Sequence, residues 1–406
     1  MCGLTGFFDP KASSAMDVMI TQVKSMCDAM IHRGPDDHGE WCDPETGIGL
    51  GFRRLAIIDV SQAGHQPMLS ASGRYSMVFN GEVYNSEAIR TELKGAGLAP
   101  VFRGHSDTEV ILAGIEAWGI EATVRRCIGM FAMAIWDRKE RRLTLVRDRM
   151  GVKPLYYGIC KGVLLFGSEL KPIAAHSAFD NSVDRVALTE YLRHNYVPSP
   201  NSIYKSIQKL PPASLIHIDA SNLNSAQPTL YWNAEQVIRD GSANPLAGSD
   251  SELLSELDAL LRDSVGLRMF SDVPLGVFLS GGIDSSLVTA LMQQLSSSKV
   301  RSFSIGFHEE GYNEAQHAKA IAKHIGTDHT ELYVTPEEML GVVPKLSTLF
   351  DEPFADSSQI PTYLVSAMAR QHVTVALSGD GGDELFGGYE RYFRYSKLYR
   401  RWKQMP

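Results

Sequence analysis

At 406 residues with a formal net charge of −8, the chain exceeds what one hydrophobic core usually organises and lacks the basic surplus of a general nucleic-acid binder. No apolar run approaches the roughly eighteen residues that span a bilayer, and the start lacks the basic-then-apolar pattern of a secretory signal. These totals point to a two-domain cytoplasmic protein that works on small molecules, with no membrane and no nucleic-acid partner.

The chain opens Met1-Cys2-Gly3-Leu4, so loss of the initiator methionine leaves a cysteine carrying a free α-amine. An α-amine titrates near 8 and a cysteine thiol near about 8.5, so at neutral pH the amine can accept the thiol proton. That makes Cys2 a candidate amino-terminal nucleophile. The other four cysteines, Cys27, Cys42, Cys127 and Cys160, show no paired zinc-type spacing and read as core or incidental thiols.

Apolar spacing over 16–30, with Met16, Met19, Ile20, Val23, Met26 and Met30 on one face, predicts a helix whose methionines serve the core. Short β-rich runs at 75–79 and 143–146 predict strands, 155–166 a hairpin turning at Lys161-Gly162, and 108–118 and 183–192 further helices. Together 1–210 read as a mixed helix and strand domain. From 211 to 250 the composition shifts to Pro, Asn, Ser, Ala and Gly, which predicts an interdomain connection. From 251 to 406 helices and strands alternate: helix 252–267, strand 276–279, helix 285–295, strand 300–307, helix 313–324 and strand 373–377, with a further helix starting near Gln359. Repeated β-then-α units imply a parallel sheet, with ligands beyond the carboxyl ends of its strands.

Two glycine-rich loops fall at that edge. Ser280-Gly281-Gly282-Ile283-Asp284-Ser285-Ser286 follows an apolar strand and opens a helix, so its glycines admit an anion while helix-start N–H groups and hydroxyls face it. It lacks the lysine of the common P-loop and suits the pyrophosphate released when ATP is cleaved between its α and β phosphates. Ser378-Gly379-Asp380-Gly381-Gly382-Asp383-Glu384 crowds three acids among three glycines, and Asp284 with Asp383 are the candidate Mg2+ ligands.

Cys2-Gly3, His32-Arg33-Gly34-Pro35-Asp36, Asn80-Gly81-Glu82-Val83-Tyr84-Asn85, Ser106-Asp107-Thr108-Glu109 and the two glycine-rich loops stand in the order found in glutamine-hydrolysing asparagine synthetases, and the whole chain resembles that family. The resemblance implies an α+β amino-terminal domain, an αββα Ntn-hydrolase sandwich, joined to an α/β parallel-sheet ATP-pyrophosphatase domain of the adenine nucleotide α-hydrolase type. It implies that Cys2 attacks the side-chain amide of glutamine, with Asn80 and the Gly81 N–H as oxyanion hole. Arg54, Glu82, Asp107 and Asn80 are implied to bind glutamine, while His32 with Arg33 orders the loop over that pocket and is not the base. In the second domain the resemblance places ATP on Phe278, Ser280, Gly281, Gly282, Asp284, Ser285, Ile305, Ser378 and Gly379, and implies that Asp380 helps form an acyl-adenylate. Aspartate is the implied acceptor, glutamine and ATP the other substrates, and a homodimer is left open.

The sequence departs from the family in ending at Pro406, where relatives continue into a helical region that supplies a lysine near the phosphates; neither Lys397 nor Lys403 matches it. The first domain is thus expected to be whole and the second incomplete. The segment Asp351-Glu352-Pro353-Phe354-Ala355-Asp356-Ser357-Ser358 resembles the acceptor side of bacterial relatives, some of which amidate other carboxylates such as sugar acids. A glutaminase with an inactive second domain is the reading from a different class. A β-lactam synthetase relative is disfavoured, because such proteins lack the amino-terminal thiol.

Overall fold

The computed structural model describes residues 1–11, 14–308 and 314–403. By internal contacts the chain forms two units, Met1–Ala247 with Ser347–Asp356, and Gly248–Leu346 with Ser357–Pro406. Among the described residues, no helix is long and apolar enough to cross a membrane.

In chain order the first unit contains β1 (Gly3–Phe8), β2 (Asp37–Asp43), β3 (Ile48–Arg54), β4 (Met68–Leu69), β5 (Tyr75–Val83), β6 (Gly129–Asp137), β7 (Arg142–Arg147), β8 (Tyr156–Cys160), β9 (Val163–Gly167), β10 (Ile207–Lys209), β11 (Ser214–Ile218) and β12 (Thr229–Leu230). They make two six-stranded sheets, ordered β10-β8-β9-β1-β3-β2 and β12-β11-β7-β6-β5-β4, with every pairing antiparallel. Period-two alternation sends successive side chains to opposite faces. Leu4, Phe8, Leu50, Phe52, Val78 and Trp136 thus meet in one core between the sheets. Their neighbours turn outward: Phe7 packs with Met19, Val23 and Met26 of the helix Met16–Asp28, and Met77 and Phe79 pack with Val110, Ile111 and Ile115 of the helix Asp107–Trp118. The outcome is four layers, αββα, as the resemblance implied. Full burial of side chains of this size contributes roughly 1.5–3 kcal/mol each.

Two expectations change. Residues 211–231 are not a connection: β11 pairs with β7, β12 pairs with β11, and Leu215, Ile216, Ile218 and Tyr231 are buried. The turn-forming residues around them masked a strand whose apolar side chains join two of the first unit's cores, the one between the sheets and the one under the helix Asp107–Trp118. The stretch read as helix 183–192 is the helix Arg185–His194, capped by the Asp184 carboxylate on the Val186 and Ala187 N–H groups, yet only Ala187 on it is buried. Its apolar spacing marks a shallow contact rather than a core face.

In the second unit β13 (Leu275–Phe278), β14 (Arg301–Phe307), β15 (Asp328–Val334) and β16 (Val375–Leu377) form a parallel sheet ordered β15-β14-β13-β16. The helices Asp250–Arg268 and Ile283–Leu295 contribute Val265, Leu291 and Met292 to a core with Val277, and the helix Gln359–Ala369 brings Met368 and Ala369 against Phe303. β15 escaped the sequence reading because its polar Asp328, His329, Thr330 and Glu331 suit an edge strand rather than an apolar run. The expected helix 313–324 is Ala315–Ile325; Asn313 lies outside the described residues.

Candidate active site

Cys2 stands immediately before β1, a central strand of its sheet, and its side chain packs at the margin of the core between the sheets. The Leu55 main chain brackets the sulfur: its N–H donates to Sγ at 3.4 Å and its carbonyl lies 3.5 Å from Sγ. Burial pushes the thiol pKa up, against the Leu55 hydrogen bond and the positive charges of the amino terminus, Lys153 and Arg54. A resting thiolate is therefore disfavoured, and the thiol needs a base at the moment of reaction. The His32 side chain is paired with Glu169, its Nε2 3.0 Å from Glu169 Oε2. Arg33 donates from Nε to the Cys2 carbonyl at 2.8 Å and from Nη1 to Glu169 at 2.8 Å.

By alternation along β5, Asn80 shares the inward face with Val78, on the same side as Cys2. The Asn80 amide nitrogen lies 3.4 Å from Ser168 Oγ, which also accepts the Leu4 N–H at 3.1 Å. The Asn80 side chain is thus one hydroxyl away from β1, the strand that follows Cys2. Its Oδ1 is buried without a hydrogen-bond partner. Exchanging the two amide ends would let the Ser168 hydroxyl donate to Oδ1 and would leave an N–H pair as an unused donor.

The Gly81 N–H is a second unused donor. On β5 the Phe79 N–H goes to Gln66 Oε1 at 2.6 Å and the Val83 N–H to Asp107 Oδ2 at 2.9 Å, both on the edge away from β6. Gly81 has the same parity, and opposite it Phe131 spends its N–H and carbonyl on Asp148. The Gly81 N–H consequently points to the same edge and has no hydrogen-bond partner among the described residues.

The remaining glutamine-site candidates are buried polar groups. Arg54 ends β3 and is held by the Ser61 carbonyl at 2.9 Å and by the Asp59 carbonyl. Asp107, in the first turn of its helix, accepts from the Val83 and Thr108 N–H groups, while burial pushes its carboxyl up to about 6. Glu82 is buried on β5. The sequence reading missed Lys153, which is buried in the first unit and lowered by that burial, with the charges of Glu82, Cys2 and Asp148 opposing. Its loop is folded around Asp148, whose carboxylate takes the N–H groups of Phe131, Met150, Val152 and Lys153. An aspartate followed by Gly151 and Lys153 was the available signal.

In the second unit the first glycine-rich loop joins β13 to the helix Ile283–Leu295. Its hydroxyls bind one another: Ser280 Oγ lies 2.9 Å from Ser285 Oγ, which accepts the Ser280 N–H, and Ser286 Oγ donates to the Gly282 carbonyl at 2.6 Å. Gly281 adopts φ +87°, open to glycine at little cost. The second loop, after β16, interlocks with it: a Cβ on Gly382 would lie 2.4 Å from Asp284 Oδ2, and one on Gly379 2.7 Å from the Ser285 nitrogen. Asp284, Ser285, Gly379 and Gly382 are brought together as expected of one site. Asp380 accepts from Ser378 Oγ at 2.9 Å, and the Asp383 carboxylate lies against Gly388. Phe278 is half-buried against the cluster of Phe303, Met368 and Val373, and Ile305 is half-buried in register with Leu332. Among the described residues no three His, Cys, Asp or Glu side chains group to hold a metal. Mg2+ in a nucleotide site needs only one or two carboxylates beside the phosphates, and Asp284, set against the second loop, suits it in donor chemistry.

In the first unit a part-buried Cys2 thiol stands at the core between two antiparallel sheets with the buried Asn80 amide; in the second, two interlocked glycine-rich loops follow strands of a parallel sheet. Residues 1–232 match the glutamine amidotransferase domain model and residues 256–406 the asparagine synthase model. The chain is 38% identical over 395 residues to asparagine synthetase [glutamine-hydrolyzing] 1 of Bacillus subtilis, covering 97% of this chain and 59% of that protein. It is 37% identical over 409 residues to putative asparagine synthetase [glutamine-hydrolyzing] 2 of Methanocaldococcus jannaschii, covering 96% of this chain and 76% of that protein. The chain belongs to the glutamine-hydrolysing asparagine synthetase family. It spans about three fifths of the length of the first curated relatives it matches. Among solved structures, the glutamine phosphoribosylpyrophosphate amidotransferase from B. subtilis aligns over 88% of this chain and 94% of its own at 14% identity and a TM-score of 0.44, a likeness too slight to bear on the chemistry.

Proposed function

We propose that the first unit hydrolyses glutamine at Cys2 and that the ammonia serves an ATP-dependent amidation of aspartate to asparagine, with AMP and pyrophosphate released. What supports the reading is the Cys2 thiol packed at the inter-sheet core, the buried Asn80 amide linked through Ser168 to the strand after Cys2, and the Gly81 N–H beside Asn80 that strand pairing leaves unused. With Met1 removed, the Cys2 amine takes the thiol proton as sulfur attacks the glutamine amide carbon. The developing oxyanion is received by Asn80 Nδ2 and the Gly81 N–H, donors aimed before the charge appears. The protonated amine then gives its proton to the departing nitrogen, and water hydrolyses the γ-glutamyl thioester. Buried Asp107, with Glu82, faces the substrate ammonium, and Arg54 its carboxylate; opposite charges suit a zwitterion.

In the second unit the loop 280–286 and the backbone of Ser378-Gly379 hold ATP, with adenine against Ile305 and the Phe278 strand. Asp284 and Asp383 would hold Mg2+, which would supply charge neutralisation at the polyphosphate. Asp380 assists adenylation of the acceptor. Adenylation is required because a carboxylate is a poor electrophile with a poor leaving group. Ammonia must reach that anhydride unprotonated, which a dry path favours. All of this takes place in the cytoplasm, where thiols stay reduced.

The experiment is to supply glutamine, MgATP and aspartate and to quantify glutamate, AMP, pyrophosphate and asparagine. Asparagine in step with AMP supports the reading. AMP formed only with another carboxylate reassigns the acceptor, and glutamate without acceptor-dependent AMP leaves a glutaminase alone. Cys2→Ala abolishes glutamate release.

A further inference from the structure

The Cys2 main chain is tied to a part of the sequence far from it. Arg33 holds the Cys2 carbonyl and is itself held by Glu169 at 2.8 Å. Burial acts to raise the Glu169 carboxyl, but His32 and Arg33 overcome it and hold it down at about 2, so it is a carboxylate throughout the neutral range. On its other side Glu169 Oε2 lies 3.4 Å from Lys171 Nζ, and that ammonium is drawn closer to Asp351. The Asp351 carboxylate also accepts the Leu170 N–H at 2.5 Å and the Lys171 N–H at 3.3 Å, fixing the backbone next to Glu169.

Asp351 is in place because its neighbours are bound as well. Glu352 accepts the Ile203 N–H at 2.8 Å and the Tyr156 hydroxyl at 3.2 Å, and pairs with Lys209 at 2.7 Å; the Ala355 N–H donates to the Asn195 carbonyl at 2.9 Å. Residues 347–356 therefore belong to the first unit although the chain on both sides of them belongs to the second. Asp351 and Glu352, in the segment that resembles the acceptor side of bacterial relatives, are engaged in these contacts.

We propose that Asp351 is a positioning residue for the Cys2 centre, acting through Lys171, Glu169 and Arg33 on the main chain that carries the nucleophile. Its charge occupies the Lys171 ammonium and so leaves Glu169 to Arg33. Remove that charge and Lys171 turns to Glu169, Arg33 loses its partner, and the Cys2 carbonyl loses its clamp. A nucleophile displaced by an ångström loses up to about a hundredfold in rate while the substrate-binding groups stay in place. The inference rests on the reading of Cys2 as the glutaminase nucleophile.

The test uses the full chain and steady-state glutamate release. Asp351→Asn keeps an acceptor for the Leu170 N–H but removes the charge; kcat falls about tenfold with KM for glutamine within twofold. Adding Lys171→Met removes the competitor for Glu169 and restores kcat to within threefold of the parent, a rescue that loss of a merely structural contact would not give. A kcat for Asp351→Asn within twofold of the parent, or a double variant no faster than Asp351→Asn, overturns the proposal. Lys171→Glu, at a part-buried position, repels Glu169 directly and reads the same link should Asp351→Asn not accumulate; unchanged kcat there overturns it too. Cys2→Ala is run beside them: if it still releases glutamate the nucleophile reading fails, whereas a dead Cys2→Ala with an unaffected Asp351→Asn sinks only the coupling.

Discussion

Asn80→Ala separates a transition-state role from a structural one. The side chain is almost fully buried, but its polar contacts are weak: Nδ2 is 3.4 Å from Ser168 Oγ, and Oδ1 has no partner. Ser168 keeps its bond from the Leu4 N–H at 3.1 Å when the amide is gone. Truncation thus removes packing and little hydrogen bonding, a cost of about 1–2 kcal/mol. For a domain of this size that lowers the melting temperature by roughly 2–8 °C. Loss of one oxyanion donor, by contrast, costs about 100- to 1,000-fold in kcat, roughly 2.7–4 kcal/mol. The assay is glutamate release against glutamine concentration, with melting followed by circular dichroism on the same samples. The expected result is a kcat reduced by at least about two orders of magnitude, a KM changed by less than threefold and a small melting shift. A kcat within fivefold of the parent, or a loss confined to KM, would refute the oxyanion assignment.

Asp107 gives a pH signature. Its carboxyl titrates near about 6 because burial raises it above the usual range of roughly 4. If its carboxylate binds the glutamine ammonium as proposed, KM falls as pH rises through 6 and levels above it, and Asp107→Asn raises KM and flattens that profile. Because the folded value lies above the unfolded one, this group reduces stability as pH rises from about 4 to 6, and Asp107→Asn should lessen that loss in urea titrations at the two pH values. Gly382→Ala places a Cβ 2.4 Å from Asp284 Oδ2 and forces the two loops apart. Acceptor-dependent pyrophosphate release should fall at least tenfold while glutamate release stays within twofold; unchanged pyrophosphate would count against a shared site. Asp148→Ala leaves the Phe131, Met150, Val152 and Lys153 N–H groups without their acceptor, and chemical denaturation should show a loss above about 2 kcal/mol.

Cys2, Asp284 and Gly379 were legible because they stand before a strand, at a helix start and after a strand, where position or local glycine and serine mark them. Asn80 and Gly81, inside β5, were named through the family resemblance. What sequence could not give was pairing. That Gly81 has an unused N–H follows from strand parity and from Asp148 occupying Phe131, neither of which is a local pattern. Lys153 and Glu169 are ordinary surface residue types until folding buries the first and pairs the second with Arg33. Residues 211–231 were misread because turn-forming neighbours diluted a five-residue strand, and β15 because an edge strand tolerates polar side chains. The docking of 347–356 onto the first unit depends on ion pairs between residues far apart in sequence, which no window along the chain can see.

The central claim is that a Cys2 thiol deprotonated by its own α-amine attacks glutamine. Intact-protein and peptide mass spectrometry, before and after inactivation by an electrophilic diazoketone analogue of glutamine, tests it most directly. The account predicts a mature chain beginning at Cys2 and one adduct, on the Cys2 sulfur, that grows in step with lost glutamate release. Fully active protein that retains Met1, or an inactivating adduct on any other residue, would contradict it.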